Sequence, residues 1–318
     1  MPKPQVLFDF PMPDVVAELF TPHCELLPWQ TLTGSTGPLP EIDAILSVAH
    51  TRIGAAELSR LPNVKVVSNY GAGVDHIDVA AVQACNVPVG NTPGTVDGAT
   101  ADQTMALLLA VARNTVRGDA HARGPGFIEF DPGFMLGTDV FEATLGIIGL
   151  GRIGKAVARR AAGFDMRVLY HNRNRDLAAE AELGVRYASL DELLAQCDFV
   201  CLNVPLTAQT EKLIGEAQLR AMKPGAFLIN TARGAVVDTE ALLRALTEGW
   251  IAGAGLDVTE PEPLPRDHPL LKLPNLVLTP HSGTSTVGTR VLMGRRALEN
   301  LLAGLAGEAL PYPVRAPG

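Results

Sequence analysis

The chain has 318 residues, a formal net charge of −8 and a mean hydropathy of +0.17. Apolar residues make up 47% of it and charged residues 19%, which excludes a disordered, collagen-like or coiled-coil chain. The acidic balance argues against a nucleic acid or an anionic membrane surface as a partner. We expect a cytoplasmic protein of two domains without a membrane span, because the longest strongly apolar stretch, Met105–Ala112, is far too short for one.

Strand-like and helix-like segments alternate along the N-terminal half, which is typical of parallel α/β proteins. The predicted strands are Val6–Phe10, Asp43–Val48 and Val64–Asn69. The predicted helices are Asp14–Phe20, Ile53–Leu61 and a long apolar helix over Ala99–Asn114. A loop rich in Gly, Pro and Phe is expected over Gly124–Gly137.

The C-terminal half alternates more regularly, which extends the same parallel α/β pattern. The predicted strands are Thr144–Gly149, Arg167–His171, Phe199–Val204, Ala226–Asn230, Ala252–Asp257 and Leu276–Thr279. The predicted helices are Ile153–Gly163, Asp176–Leu183, Leu190–Gln196, Ala217–Met222, Thr239–Glu248 and Thr286–Leu305.

A glycine-rich segment indicates a dinucleotide site. Gly149–Gly154 reads G-x-G-x-x-G, directly follows a predicted strand and opens a predicted helix. Gly149 permits a tight turn, Gly151 lets the backbone approach a pyrophosphate, and Gly154 allows the helix to pack closely on the strand. The helix amides and dipole then favour the phosphates. A glycine turn needed for packing alone is the alternative, which the strand–turn–helix context disfavours.

The turn after the next predicted strand bears on which dinucleotide is preferred. An NAD enzyme usually has an Asp or Glu about 20 residues after the glycines, where it accepts from the ribose 2′-hydroxyl. This chain instead has Asn172, Arg173 and Arg175, with no carboxylate before Asp176. A guanidinium there would pair with a 2′-phosphate. The segment predicts a preference for NADP(H) with residual use of NAD(H), and a merely solvated basic turn is the alternative.

Three further segments follow predicted strands, at the edge where open α/β sheets bind ligands. They are Ile229–Gly234, Gly255–Pro263 and Thr279–Gly283. Three more segments lie upstream, namely Asn69–Asp78, Asn91–Gly94 and Ala99–Asp102. In type and in order along the chain, the six segments resemble those of the D-2-hydroxyacid dehydrogenase family, and the resemblance covers nearly the whole chain. Within that family the sequence is most similar to the glyoxylate/hydroxypyruvate reductases and the hydroxyphenylpyruvate reductases.

The resemblance implies a two-domain α/β fold, with a Rossmann dinucleotide-binding domain inserted into a flavodoxin-like substrate domain. Residues 1–98 and 287–318 are then expected to form the substrate (catalytic) domain, and residues 99–286 the dinucleotide-binding domain. The family is typically dimeric through its cofactor domains. A homodimer is therefore expected, with the apolar helix over Ala99–Asn114 and the loop over 127–136 as candidate surfaces.

The family's catalytic Arg, Glu and His match Arg233, Glu262 and His281. Reduction of a 2-oxo acid to the D-2-hydroxy acid needs a hydride at the carbonyl carbon and a proton at its oxygen. Imidazole can supply that proton near neutral pH. Glu262, with Glu260 as the rival carboxylate, is expected to orient the imidazole through its other ring nitrogen. Arg233 is expected to bind the substrate carboxylate and to polarise the carbonyl.

The family's binding residues carry over position by position. The backbone amides of Ala72 and Gly73 are expected to bind the substrate carboxylate together with Arg233 and His281. Asp257 is expected to accept from the nicotinamide carboxamide. The expected cofactor-binding residues are Thr100, Gly149, Leu150, Gly151, Arg152, Ile153, Gly154, Asn172, Arg173, Arg175, Val204, Pro205, Thr210, Thr231, Ala232, Arg233, Asp257, His281 and Gly283. No histidines have partners at metal-ligand spacing, so no metal site is expected.

Two other functions are compatible with parts of this pattern. Formate dehydrogenases share the architecture but pair the catalytic His with Gln, so Glu262 argues against that activity. Dinucleotide-sensing corepressors retain much the same site, so the three residues alone do not exclude a protein-interaction role. The absence of long interaction tails disfavours it. The sequence does not choose among glyoxylate, hydroxypyruvate, phenylpyruvate and sugar-derived 2-oxo acids as the type of substrate.

Overall fold

A computed structural model describes residues 2–315, and the chain divides into two compact units. One unit comprises Met1–Val96 with Ser285–Gly318, and the other comprises Asp97–Thr284. The crossings therefore lie at 96/97 and 284/285, where the resemblance led us to expect 98/99 and 286/287. That the first unit binds substrate and the second binds the dinucleotide stays a prediction at this point.

The first unit is built on a five-stranded parallel sheet with the order β2-β1-β3-β4-β5, which is the flavodoxin-like order. Its strands are β1 (Gln5–Phe8), β2 (Glu25–Pro28), β3 (Ile42–Ser47), β4 (Val66–Asn69) and β5 (Val89–Gly90). The helices between them are α1 (Asp14–Phe20), α2 (Gln30–Thr33), α3 (Ala55–Leu58) and α4 (Val79–Ala84). Leu7, Ile45 and Val67 lie at the centre of the core on one face of the sheet.

The second unit has a seven-stranded parallel sheet. Successive strands are added first on one side of its first strand and then on the other side, as in a Rossmann domain. Its helices are α5 (Asp97–Ala112), α6 (Thr115–Ala122), α7 (Arg152–Ala161), α8 (Leu177–Leu183), α9 (Leu190–Gln196), α10 (Glu216–Ala221) and α11 (Thr239–Thr247). Its strands are β6 (Thr144–Ile148), β7 (Arg167–His171), β8 (Arg186–Tyr187), β9 (Phe199–Leu202), β10 (Phe227–Asn230), β11 (Gly253–Leu256) and β12 (Leu276–Leu278). The strand order is β12-β11-β10-β9-β6-β7-β8.

Both faces of the second sheet are buried, and the side chains of a strand alternate between them. Ile148 and Leu202 belong to a core that α9, α10 and α11 complete. Ile147 and Cys201 belong to a core on the other face, completed by α5, α7 and α8. Because all strands run parallel, the residues that follow β6, β9, β10 and β11 reach the same edge of the sheet.

The last helix, α12 (Val287–Leu305), follows β12 and belongs to the first unit. Ser68 on β4 donates from Oγ to the carbonyl oxygen of Ala297 at 2.8 Å. A β-carbon at Gly304 would overlap the side chain of Val66, so the glycine lets α12 lie close to β4. This packing brings the C-terminal segment back onto the sheet built by the N-terminal segment.

Several elements differ from the sequence prediction. The helix predicted over Ala99–Asn114 ends at Ala112, because Asn114 adopts a left-handed backbone with φ of 53° before α6 begins. The helix predicted over Ile53–Leu61 is reduced to Ala55–Leu58. The short strands β2, β5 and β8 were not predicted. Within residues 2–315, the structure has no helix of the length and apolarity needed to cross a membrane.

Candidate active site

The turn between β6 and α7 has a backbone that suits a bound pyrophosphate. Gly149 has a φ of 99°, and a β-carbon there would lie 2.7 Å from the backbone of Asn203. A β-carbon at Gly154 would overlap the carbonyl oxygen of Gly149, so α7 lies close to the turn. A β-carbon at Gly151 would meet nothing within 4 Å, which leaves open space above the first amides of α7. The residues present therefore fit a dinucleotide.

Two residues of the turn after β7 form hydrogen bonds to other residues of the chain. Asn172 accepts at Oδ1 from the amide of Leu150 at 2.7 Å, so its side chain fixes the glycine-rich turn. Arg175 donates two 2.7 Å hydrogen bonds to the carboxylate of Glu180 and thereby lowers the pKa of that carboxyl group. Arg173 is exposed, and its side chain has no hydrogen bond or ion pair with any residue in the described range. Arg173 is therefore the more available cation of this turn.

Asp176, the first carboxylate after this turn, is also engaged. It accepts at Oδ1 from the amide of Ala179 as the N-cap of α8. Its other oxygen lies 2.8 Å from Nζ of Lys155. The hydrogen bond from Lys155 is the main reason why the pKa of Asp176 is lowered. Both carboxylate oxygens are thus held by α7 and α8.

Asp257 organises the segment that follows β12. It is buried, and its Oδ1 accepts from the hydroxyl of Thr279 at 2.6 Å and from the amide of Ser282 at 2.8 Å. Its Oδ2 accepts from the amide of Gly283 at 2.8 Å. The amide of His281 donates to the backbone carbonyl of Asp257, also at 2.8 Å. Asp257 thereby fixes the backbone on which the imidazole of His281 is mounted.

The side chains of His281 and Glu262 are in hydrogen-bond contact at this edge of the sheet. Nδ1 of His281 lies 2.7 Å from Oε1 of Glu262, and about a third of each side chain is exposed. Because an ionised carboxylate only accepts hydrogen bonds, Nδ1 carries the proton of this contact. Any acid–base chemistry of this ring would therefore use Nε2. Glu262, and not the rival Glu260, makes this contact.

Arg233 lies in the loop after β10, on the same edge. Its Nη1 donates to the carbonyl oxygen of Ala232 at 2.8 Å, and its own carbonyl accepts from Nδ2 of Asn230 at 2.9 Å. A β-carbon at Gly234 would overlap the carbonyl oxygen of Thr259. The glycine therefore lets the loop that carries Arg233 lie against the segment that leads to Glu262.

In the first unit, the segment after β4 has its peptide groups fixed by two asparagines. Nδ2 of Asn69 donates to the carbonyl oxygens of Gly71 at 2.9 Å and Gly73 at 2.8 Å. Nδ2 of Asn91 donates to the carbonyl oxygen of Ala72 at 2.7 Å. The loop expected to bind a carboxylate is thus held in one backbone conformation.

The remaining predicted residues lie in the second unit. The hydroxyl of Thr210 donates to the carbonyl of Pro205 at 2.6 Å and so closes the turn after β9. The others border the carboxyl edge of the sheet or lie on the first turns of α5 and α7, namely Thr100, Arg152, Ile153, Val204, Thr231 and Ala232.

Sequence reasoning missed two polar residues of α5. Nε2 of Gln103 donates to the hydroxyl of Thr279 at 3.0 Å, so it supports the residue that binds Asp257. The hydroxyl of Thr104 lies 2.8 Å from that of Thr231. Both residues come just before the apolar run that begins at Met105, and polar side chains at that boundary were the available signal. Among residues 2–315, no group of His, Cys and carboxylate side chains is arranged to hold a metal ion.

Comparisons with known proteins agree with this architecture. A family model described as D-isomer specific 2-hydroxyacid dehydrogenase, NAD binding domain, matches residues 105–283. A glyoxylate reductase from Korarchaeum cryptofilum is 45% identical over 315 residues, covering 97% of this chain and 95% of that protein. One from Pyrococcus furiosus is 46% identical over 275 residues, covering 85% and 82%.

A solved structure shows the same similarity at the level of the fold. The NADPH-dependent glyoxylate/hydroxypyruvate reductase from Sinorhizobium meliloti, in complex with NADP and malonate, superposes with a TM-score of 0.89 at 31% identity. The match covers 98% of this chain and 97% of the other.

The Rossmann domain and its glycine-rich turn fit a dinucleotide, and the matching family model identifies the class as the nicotinamide-dinucleotide-dependent oxidoreductases. The chain belongs to the D-isomer specific 2-hydroxyacid dehydrogenase family. The family and the two-domain α/β fold that the motifs implied are thereby confirmed. The protein is an NAD(P)-dependent enzyme that acts on a small molecule and reduces a 2-oxo acid to a hydroxy acid.

Proposed function

We propose that this enzyme reduces a small 2-oxo acid of the glyoxylate, hydroxypyruvate or phenylpyruvate type to the D-2-hydroxy acid, with NADPH preferred over NADH. The observation that carries the proposal is the 2.7 Å contact between Nδ1 of His281 and Glu262. With Nδ1 held by the carboxylate, a proton on Nε2 can pass to the carbonyl oxygen. Glu262 also stabilises the positive charge of the imidazolium before the transfer.

The negatively charged groups of the substrate are bound by Arg233 and by the loop of the first unit that contains Ala72 and Gly73. Arg233 binds the carboxylate and polarises the carbonyl as negative charge develops on its oxygen. The amides of Ala72 and Gly73 bind the carboxylate too, and the fixed carbonyls of that loop keep them in place. When the dinucleotide is bound, its reduced nicotinamide supplies the hydride. Oδ2 of Asp257 has an acceptor position left for the carboxamide.

The preference for NADPH rests on the turn after β7. A carboxylate facing the ribose would repel a 2′-phosphate, but Asp176 is held by Lys155 and by the N-terminus of α8. Arg173 is exposed and available, whereas Arg175 is bound to Glu180. Arg173 is therefore the main cation for the phosphate, and Arg175 has a secondary role. NADPH-dependence of the Sinorhizobium meliloti reductase supports the same cofactor for a related fold.

We also propose that the enzyme is a cytoplasmic homodimer. Between α6 and β6 the chain exposes large apolar side chains, including Ile128 (84% exposed), Phe130 (83%) and Leu136 (77%). Exposed apolar surface of this kind marks a contact surface between proteins. A second copy of the same chain is the expected occupant, because the family resemblance implies assembly through the cofactor domains.

A substrate and cofactor panel tests the reaction. Glyoxylate, hydroxypyruvate and phenylpyruvate are each assayed with NADPH and with NADH by the loss of reduced-nicotinamide absorbance, and the product configuration is determined by chiral chromatography. We expect turnover of at least one acid, a D product and a higher kcat/KM with NADPH. Dinucleotide binding without turnover, combined with dinucleotide-dependent capture of a partner protein, would contradict the proposal and favour a sensing role.

A further inference from the structure

The sheet of the first unit has its own ligand-binding edge. In the order β2-β1-β3-β4-β5, β2 is added on one side of β1 and the later strands on the other, so the strand order reverses between β1 and β3. Open α/β sheets bind ligands at the carboxyl ends of the strands beside such a reversal. Here those ends carry Asp9, which follows β1, and Ser47, which ends β3. Neither residue has a role in the reaction described above.

Asp9 fixes the segment that leaves β3. Its Oδ1 accepts from the amides of Val48 at 2.5 Å and Ala49 at 3.1 Å. Its Oδ2 lies 3.5 Å from the hydroxyl of Ser47. The carboxylate is thus used mainly to hold the backbone that leads directly to His50.

Two histidines are stacked at this edge. The hydroxyl of Ser47 lies 3.0 Å from Nε2 of His76, and the ring of His76 stacks on that of His50 with centroids 5.4 Å apart and planes at 26°. The amide of Ile53 donates to the carbonyl of His76 at 3.2 Å, which joins the segments that follow β3 and β4. His76 is half-buried and is held by Ser47. His50, which stacks on it, is exposed to solvent.

One member of the pair, His76, lies on the same loop as the proposed carboxylate site. Gly73 and His76 are three residues apart, a span of at most about 10 Å in extended chain. That is the scale of a three- or four-carbon acid with a hydrogen bond at each end. The backbone of His76 therefore lies no farther from the proposed carboxylate site than about the length of such an acid.

We propose that His50 and His76 form a specificity site for the group on the third carbon of the 2-oxo acid, and that this group is a hydroxyl or a carboxylate. The inference rests on the proposed function, because it takes the loop of Gly73 as the carboxylate site. Imidazole donates a hydrogen bond to an oxygen and accepts one from a hydroxyl. A site built to hydrogen-bond a hydroxyl rejects an analogue that lacks one, because its polar groups are left unpaired. Hydroxypyruvate is then a better substrate than phenylpyruvate.

The test compares kcat/KM for hydroxypyruvate with that for glyoxylate, which has no third carbon. We expect the His50→Leu substitution to lower the hydroxypyruvate-to-glyoxylate ratio about 5- to 10-fold, as for the loss of one neutral hydrogen bond. His50→Asn, which keeps a hydrogen-bonding group, restores part of the ratio. His23→Leu, an exposed histidine in the turn after α1, is the matched control and leaves the ratio unchanged.

An unchanged ratio in a folded His50→Leu enzyme overturns the specificity site while leaving the proposed reaction intact. If the wild type turns over none of the acids, the proposed function fails instead. The pair is then judged by calorimetric binding of D-glycerate to the full chain with bound NADP. Equal Kd values for wild type and His50→Leu refute it, and weaker binding to the variant supports it.

Discussion

His281 has a backbone conformation that few L-residues adopt. Its φ of 53° lies in the left-handed region, where a non-glycine residue costs on the order of 1 kcal/mol. The amide of His281 donates to the carbonyl of Asp257, and the Asp257 carboxylate holds Ser282 and Gly283. These contacts offset the strain and fix the direction in which the imidazole leaves the backbone. The contact with Glu262 then sets the orientation of the ring.

Replacement of His281 by Ala removes the proposed proton donor. We expect kcat to fall at least about 100-fold, because a positioned general acid contributes that much or more. The Kd of NADPH, measured by fluorescence titration, should change little, since the glycine-rich turn is built by other residues. His23→Ala serves as the control. Near-normal turnover by a folded His281→Ala enzyme would remove His281 from the chemistry.

Replacement of Arg173 by Ala removes the cation assigned to the 2′-phosphate. We expect the ratio of kcat/KM for NADPH to that for NADH to fall about 3- to 10-fold, the modest size reflecting an exposed ion pair. Arg175→Ala is the matched variant, and it should change the ratio less because its guanidinium is bound to Glu180. A wild type that prefers NADH, or equal effects of the two substitutions, would contradict the assignment.

At the scale of elements, one glycine controls how two active-site loops meet. A β-carbon at Gly234 would overlap the carbonyl of Thr259, so Gly234→Ala must push apart the loops that carry Arg233 and Glu262. Overpacking of this kind costs about 1–3 kcal/mol, which corresponds to a Tm about 3–10 °C lower. We expect that loss of Tm together with a lower kcat.

The control for this substitution is Gly225→Ala, in the turn before β10. A β-carbon there meets nothing within 4 Å, so the variant should keep its Tm or gain slightly through a less flexible unfolded chain. The two melting temperatures are measured by circular dichroism in the same buffer. Equal values would show that the loops relax freely around residue 234.

Elements with strong local signals were predicted well, and short ones were not. β6 with α7, and α9 with its capping box at Ser189, were readable because glycine spacing and N-cap chemistry are local. β8 has only two residues, Arg186–Tyr187, and its pairing with β7 depends on a distant segment. The break at Asn114 depends on one residue in the left-handed region between two helices, α5 and α6. Local propensity carries little information in either case.

For the whole molecule, the proposed dimer makes a direct prediction. Wild type should sediment as a dimer at micromolar concentration, and Phe130→Asp should weaken association at least about 100-fold, since each of two symmetric sites loses apolar burial and gains a charge. Leu177→Asp, which alters another exposed apolar side chain (66% exposed), is the control and should stay dimeric. A wild type that sediments as a monomer would contradict the dimer.

The sequence by itself determined the class of fold, the glycine-rich turn and the candidate Arg–Glu–His set, because each is encoded in a short segment at the end of a strand. Parallel strands bring such segments to one edge whatever the details of packing, so their shared location follows from the pattern alone. The tertiary structure decided what each polar group is bound to. It showed that Glu262 rather than Glu260 contacts His281, and that Arg175 is held by Glu180.

Only the tertiary structure revealed the cluster of Asp9, Ser47, His50 and His76. Asp9 lies 38 residues from Ser47, and Ser47 lies 29 residues from His76, so no local pattern joins them. The strand order that places β1 next to β3 and β3 next to β4 brings them together. Hydrogen bonds and ring stacking act over a few ångströms and depend on side-chain positions, which the fold fixes and residue spacing does not.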